Sequence, residues 1–175
     1  DALLGEDPYN IFLNNIEYIH PEIDLIIHKG WSSDILPKLE QGSFDLIYID
    51  GDHSYENVSG DIEASCKLIK EGGIICGDDL ELQGHQVETS IIEKVPYLDK
   101  YMDQKSGIVF HPGVTQAVEE IFGEVSSWSG FWAIQKVNGD WRKISLMSMP
   151  PNIPRYVKGK KLIDLKALMM KHGFL

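Results

Sequence analysis

The sequence predicts an α/β fold whose doubly wound, mostly parallel sheet ends in an antiparallel hairpin. Apolar runs at 44–49 and 74–76 flank a stretch with helical spacing at 55–70, which is the pattern of a strand–helix–strand unit. Nearer the C-terminal end, Asn138 and Gly139 separate two further apolar runs. Asn-Gly is the strongest short-range hairpin signal. Parallel units closed by such a hairpin are one form of doubly wound sheet.

Local patterns place the remaining elements. Helices are predicted over 9–19, 34–41, 87–95 and 114–122, and strands over 23–28, 131–137 and 141–146. Segment 96–112 is predicted to be an irregular insertion, and such loops often cover sites. A proline-rich break at 149–154 precedes a basic amphipathic helix. We therefore expect one α/β domain over 1–148 and a separate C-terminal segment over 149–175.

Composition narrows the classes of function. A hydrophobic content of 43% and a charged content of 25% are typical of a soluble globular domain, and no apolar run approaches the ~18 residues of a membrane-spanning helix. A net charge of −11 disfavours nucleic acid, because phosphate contacts need a basic surface. Cys66 and Cys76 are expected to be reduced packing residues of a cytoplasmic protein. The expected partner is a small-molecule substrate, and a homodimer is the working hypothesis for the assembly.

Acidic residues follow both strands of the predicted strand–helix–strand unit. Asp50 and Asp52 come after the first strand, and Asp78 and Asp79 come after the second. The carboxyl ends of neighbouring parallel strands meet at one edge of a sheet, where α/β proteins bind ligands. Clustered carboxylates repel one another unless a cation or a proton lies among them. The pattern therefore indicates a metal site or an acid–base site.

Three segments carry a resemblance to one enzyme family. They are HKGWSSDILPKL at 28–39, FDLIYIDGDHSYENVSGDIEASCKLIKEGGIICGDDL at 44–80 and HPGVTQAVEEIFG at 111–123. Together they resemble class I S-adenosylmethionine-dependent methyltransferases, and within that superfamily the metal-dependent O-methyltransferases of the macrocin type and their small-molecule relatives. The middle segment is the specific one. The resemblance implies a Rossmann-like fold and methyl transfer from S-adenosylmethionine to a hydroxyl of a sugar or small secondary metabolite.

The resemblance also implies roles for the acidic residues. Asp50, Asp78 and Asp79 would hold Mg²⁺ or another divalent cation, and carboxylate oxygens suit hard cations of this kind. The alternative is that these aspartates end strands or cap turns, where Asp is common. Asp52 is implied as the general base. His53 is the rival base, because the unperturbed pKa of histidine lies nearer neutral pH.

Cofactor contacts are expected within the first 50 residues. Asp1 would accept hydrogen bonds from the cofactor ribose, as acidic residues at the second strand end do in nucleotide-binding folds. Gly30, Trp31 and Ser32 would border the adenine, and Asp50 would lie at the cofactor as well as at the metal. The alternatives are an arbitrary terminus at Asp1 and a plain helix start with a packed Trp31.

One departure from the family lies at the N-terminal end. The first strand and the glycine-rich turn that carries the methionine end of the cofactor have no counterpart in the sequence. Their absence would leave strand edges unpaired, so we expect the sequence to be a fragment of a longer chain.

Other readings of the sequence stay open. Two rival functions are hydroxylation on the same fold and a non-catalytic Rossmann-like binding module that has lost its first strand. His85 lies near the insertion and His111 lies within it, so both are candidates for contact with substrate, but we expect them to be surface or packing residues.

Overall fold

The computed structural model describes residues 7–19, 21–92 and 94–146. The chain divides into two compact units, Asp1–Trp31 and Ser32–Leu175, each described here by itself. The helices are α1 (Pro8–Ile16), α2 (Ser32–Ile35), α3 (Tyr55–Leu68), α4 (Thr89–Ile92) and α5 (Pro112–Phe122), with short 3-10 turns at Leu36–Lys38 and Gly84–Gln86. The strands are β1 (Phe44–Ile49), β2 (Ile69–Leu80), β3 (Tyr101–Met102), β4 (Val109–Phe110), β5 (Ser126–Trp128), β6 (Gly130–Val137) and β7 (Asp140–Lys143).

The first unit contains α1, followed by residues 21–31, which form neither helix nor strand. Asp7 caps α1 by accepting a hydrogen bond from the Tyr9 backbone N–H at 3.1 Å, and Pro8 occupies the first turn. The prediction of a strand over 23–28 is wrong, because these residues form no strand and Ile26 is 73% exposed. A strand needs a neighbour that pairs its N–H and C=O groups, and the described residues of this unit contain no other strand.

The second unit is built on a sheet in the order β1-β2-β6-β5, with β7 also paired to β6. β1 and β2 are parallel, whereas β2–β6, β5–β6 and β6–β7 are antiparallel. The sequence predicted mostly parallel pairs, whereas among the described strands β1–β2 is the one parallel pair of this sheet. The difference arises because β6, the other neighbour of β2, runs antiparallel to it. The predicted hairpin is confirmed: Asn138 and Gly139 connect β6 to β7 with φ of 56° and 80°.

Helices α3 and α5 share one hydrophobic core with the sheet. Ile62 of α3, Val118 of α5 and Trp132 of β6 are each at most 2% exposed in that core. On the other face of β1, Leu46 and Tyr48 are 59% and 50% exposed. The second helical layer of a doubly wound sheet stays a prediction.

The insertion is more ordered than the sequence predicted. Strands β3 and β4 pair as a hairpin whose turn is closed by buried Asp103, which accepts hydrogen bonds from the Ser106 backbone at 2.7 Å and hydroxyl at 2.6 Å. Phe110 of β4 is fully buried beside α4, which is a single turn rather than the helix predicted over 87–95. Residues 147–175, including the predicted C-terminal segment, lie outside the described residues. Among the described helices, none is both long enough and apolar enough to cross a bilayer.

Candidate functional site

Strand β2 ends in a bulge that directs two aspartates differently. Between the paired residues Gly77 and Leu80, both Asp78 and Asp79 lie opposite a single residue of β6. Asp79 has φ of 64°, a left-handed conformation that is uncommon for a residue with a side chain. Bulges are frequent beside active sites, where they redirect side chains. The bulge therefore suggests a functional reason for the position of Asp79.

Asp78 stabilises this bulge. Its Oδ1 accepts the Asp79 backbone N–H at 3.0 Å, and its Oδ2 accepts a hydrogen bond from the Tyr48 hydroxyl at 3.5 Å. The opposing strand can come close because Gly130 has no side chain: a Cβ added there would lie 3.0 Å from Asp78 Oδ1. These contacts fit the turn-capping alternative for Asp78.

Asp79 lies between two histidines. Its Oδ2 is 3.1 Å from His53 Nε2, and its Oδ1 is 3.6 Å from His111 Nδ1. The two imidazole rings have centroids 4.5 Å apart. His53, Asp79 and His111 form what we call the His–Asp–His cluster, in which one potential ligand atom from each residue lies within 4.8 Å of the others. It is the one group of this kind that the described residues contain.

Two further carboxylates hold the histidines of the cluster. His53 Nδ1 is 2.7 Å from Asp99 Oδ1, and this hydrogen bond raises the pKa of His53 against the opposing effect of burial. His111 Nδ1 is 3.1 Å from both carboxylate oxygens of Glu81, which also accepts the His111 backbone N–H at 3.3 Å. The His111 side chain is 5% exposed, and its Nε2 is buried without a hydrogen-bond partner. Both rings are therefore held in fixed orientations.

The start of α5 brings the two histidines together. His111 is the N-cap residue of α5, and Pro112 occupies its first turn. Gly113 then packs directly on backbone: an added Cβ would overlap the His53 carbonyl oxygen and lie 2.5 Å from the Tyr55 nitrogen. Only glycine permits so close an approach. The Thr115 hydroxyl donates to the Leu82 carbonyl at 2.8 Å, which ties α5 to the segment that follows β2.

A small cleft opens beside the cluster. Its lining includes Asp50, Asp52, His53, Asp78 and Asp79, all of which the sequence predicted as site residues. The volume of about 10 Å³ is close to what one water molecule needs. The cleft is therefore about the size of one water molecule or ion, and it is lined by the carboxylates that follow both β1 and β2.

Asp50 and Asp52 occupy different positions in this cleft. Asp50 is exposed directly after β1 and takes no part in the His–Asp–His cluster. Asp52 accepts the Ser54 backbone N–H at 2.7 Å, just before α3 begins. Hydrogen bonds from Ser54 lower the pKa of Asp52, so its carboxyl group is ionised at neutral pH.

The predicted cofactor contacts at the N-terminal end are not assembled in one described unit. Asp1 lies outside the described residues. Gly30 and Trp31 belong to the first unit, where the Trp31 side chain is 76% exposed. Ser32 begins α2 of the second unit. The roles predicted for these residues stay predictions.

Sequence reasoning missed three members of the site. His111 was expected to be a surface or packing residue, although it opens one of the segments that resemble the family. Glu81 carried a signal in its spacing of two from Asp79, which is the period of one strand face. No pattern in the sequence around Asp99 marks it as a site residue, because it reaches His53 only when the insertion folds.

A family model described as a methyltransferase domain matches residues 12–80. The match covers the strand–helix–strand unit and ends with β2, just past the bulge at Asp79. This match supports a methyltransferase enzyme, for which S-adenosylmethionine is the implied methyl donor. No curated protein and no solved structure matches the chain.

Proposed function

We propose that the protein is a metal-assisted O-methyltransferase that acts on a hydroxyl of a sugar or other small metabolite. One observation carries the proposal: the acidic ends of β1 and β2 line a single cleft, in a chain whose residues 12–80 match a methyltransferase domain. S-adenosylmethionine, when bound, supplies the methyl group. The residues of the chain position the accepting hydroxyl and remove its proton.

A divalent cation fits the charge of this cleft. Asp50, Asp78 and Asp79, the ligands implied by the resemblance, all line it, and carboxylate oxygens are preferred by Mg²⁺ and similar ions. The space is about that of one water molecule, so a single ion fits. A cation bound beside the accepting hydroxyl would lower the pKa of that hydroxyl.

Asp52 is the better candidate for the proton acceptor. Its carboxyl group is exposed, lines the cleft and has a lowered pKa, so the basic form is present at neutral pH. Both ring nitrogens of His53 already contact carboxylates, Nδ1 with Asp99 and Nε2 with Asp79. A carboxylate is a weak base, but it is sufficient for a hydroxyl whose pKa a cation has lowered.

The test is transfer of a labelled methyl group from S-adenosylmethionine to a panel of sugars and hydroxylated metabolites. We expect transfer to stop in chelator and return with a divalent metal. Asp52→Asn should reduce kcat by about 10²–10⁴-fold, the usual contribution of a general base, without loss of S-adenosylhomocysteine binding. Asp45→Asn is the matched control, because Asp45 is exposed on β1 and pairs with Lys70. Transfer that survives both chelation and Asp52→Asn would refute the proposal.

One observation supports a rival reaction. Two histidines and one carboxylate are the ligand set of many non-haem iron oxygenases, and the His–Asp–His cluster has this composition. Oxygen consumption and a hydroxylated product in the presence of iron and a two-electron reductant, without methyl transfer, would establish hydroxylation instead. Ligand binding without either turnover would establish the non-catalytic binding module.

A further inference from the structure

We infer that His53, Asp79 and His111 form a three-ligand site for a divalent first-row metal ion that imidazole binds well, such as Zn²⁺, rather than for Mg²⁺. This site differs from the three aspartates implied by the resemblance and shares only Asp79 with them. The inference deepens the proposed function and rests on it for the role of the ion in methyl transfer. Binding of the ion can be measured without any turnover.

The distances in the cluster match donors around one ion. Two donors bonded to the same metal at about 2.1 Å lie about 3.0 Å apart at a right angle and about 3.4 Å apart at the tetrahedral angle. The observed separations are 3.1 Å from Asp79 Oδ2 to His53 Nε2 and 3.6 Å from Asp79 Oδ1 to His111 Nδ1, so each histidine faces one oxygen of the same carboxylate. A small adjustment of these side chains would therefore place all three on one ion.

The ligand types favour one class of metal over another. Imidazole nitrogen suits zinc, iron, copper and nickel, whereas Mg²⁺ prefers oxygen ligands and keeps several waters. A set of two histidines and one carboxylate therefore favours the first group. Three protein ligands leave coordination positions open for water or a substrate oxygen, as catalytic metal sites do.

The second layer of contacts resembles that of metal-binding histidines. Such histidines usually give their other ring N–H to a carboxylate or carbonyl, which fixes the tautomer and the ring orientation. Asp99 lies 2.7 Å from His53 Nδ1, on the opposite ring nitrogen from Asp79. The His53 ring therefore has a carboxylate in place to accept its other N–H. At His111, Glu81 lies 3.1 Å from Nδ1, the same nitrogen that faces Asp79, so its carboxylate is beside the candidate ligand atom.

His111 is held rigidly beside Asp79. Its side chain is 5% exposed, and Nδ1, the ring nitrogen that faces Asp79, also lies 3.1 Å from both carboxylate oxygens of Glu81. With Nδ1 bound to the ion, the ring proton is on the buried Nε2. The charges agree, since Asp79, Glu81 and Asp99 place three carboxylates around two imidazoles, and a dication would offset part of that negative charge.

The experiment is titration of the chelator-stripped chain with Co²⁺, Zn²⁺ and Mg²⁺, followed by calorimetry and by visible absorption of Co²⁺. We expect one Co²⁺ per chain with ligand-field bands, displacement of Co²⁺ by Zn²⁺, and weaker binding of Mg²⁺ than of Zn²⁺. Replacement of either histidine by glutamine should abolish the bands. Asp99→Asn should weaken Zn²⁺ binding by about 10–100-fold, as loss of such an orienting contact does elsewhere.

Controls separate the site from general effects of histidine loss. His85→Gln removes an exposed histidine outside the cluster and should bind Co²⁺ like the unaltered chain. Because His111 is buried and its replacement can prevent folding, the half-buried His53→Gln variant carries the test, with circular dichroism as the check of folding. Equal Co²⁺ binding by folded His53→Gln and the unaltered chain, or preference for Mg²⁺, overturns the inference.

The outcomes also distinguish this inference from the proposed function. Zn²⁺ binding without any binding of S-adenosylhomocysteine supports the metal site and counts against the methyltransferase proposal. Binding of S-adenosylhomocysteine without Zn²⁺ or Co²⁺ binding supports the methyltransferase proposal and overturns the His–Asp–His metal site.

Discussion

Replacement of Gly113 by alanine should destabilise the protein, and the same replacement at Gly60 should not. Both glycines lie in helices, Gly113 in α5 and Gly60 in α3. A Cβ at Gly60 meets nothing within 4 Å, whereas a Cβ at Gly113 would overlap the His53 carbonyl oxygen. The atoms nearest to that Cβ are backbone, so no side chain can rotate away to relieve the overlap.

The magnitudes follow from two opposing effects. In a helix, alanine is more favourable than glycine by about 1 kcal/mol. Overpacking costs about 1–3 kcal/mol, and overlap with backbone belongs at the upper end of that range. We therefore expect Gly113→Ala to lose about 2 kcal/mol and Gly60→Ala to gain up to about 1 kcal/mol. For a chain of this size, 2 kcal/mol corresponds to a fall in Tm of about 4–8 °C.

Thermal and urea unfolding followed by circular dichroism would measure both variants. The urea m-value should stay unchanged if only stability differs. Gly113→Ala should also weaken Co²⁺ binding, because the overlap moves the backbone of His53 relative to His111. If Gly113→Ala is as stable as Gly60→Ala, then Gly113 does not pack directly on the backbone of residues 53–55, and the structure is wrong at this contact.

Three further outcomes can be checked separately. Burial raises the pKa of the Cys66 thiol from 9.0 to about 11. Because only the thiolate reacts, alkylation of folded Cys66 by iodoacetamide at pH 8 should be about 100-fold slower than alkylation of the protein unfolded in urea. Equal rates would contradict the burial. Thr115→Val should cost about 1–3 kcal/mol in the free energy of unfolding, because it leaves the buried Leu82 carbonyl unpaired; an unchanged urea midpoint would contradict it. Gly139→Ala should cost about 1–2 kcal/mol, because Gly139 has φ of 80°; an unchanged Tm would exclude this.

Local signals in the sequence predicted the elements that local chemistry decides. The Asn138-Gly139 turn was predictable because both positions need positive φ, which these residues tolerate. Helix α5 was predictable from its apolar spacing and from Gly123, which ends it with φ of 68°. In contrast, the segment 23–28 has the composition of a strand but lacks a partner in the described unit, and composition does not report pairing.

The location of the site was predictable from the sequence, but the contacts between its side chains were not. Acidic residues after two parallel strands had to meet at one sheet edge, and Asp50, Asp52, Asp78 and Asp79 do line one cleft. The bulge that separates Asp78 from Asp79 depends on pairing with β6, far along the chain. Folding of the insertion brings Asp99 to His53, and the position of α5 brings His111 to Asp79. The spacing of residues in the sequence anticipates neither contact.

Calorimetric titration of S-adenosylhomocysteine into this chain, with and without a divalent metal, tests whether the protein binds the cofactor of a methyltransferase. We expect stoichiometric binding, and weaker binding when Asp50→Asn removes the predicted contact at the end of β1. Absence of binding, with folding confirmed by circular dichroism, would contradict the assignment as a methyltransferase.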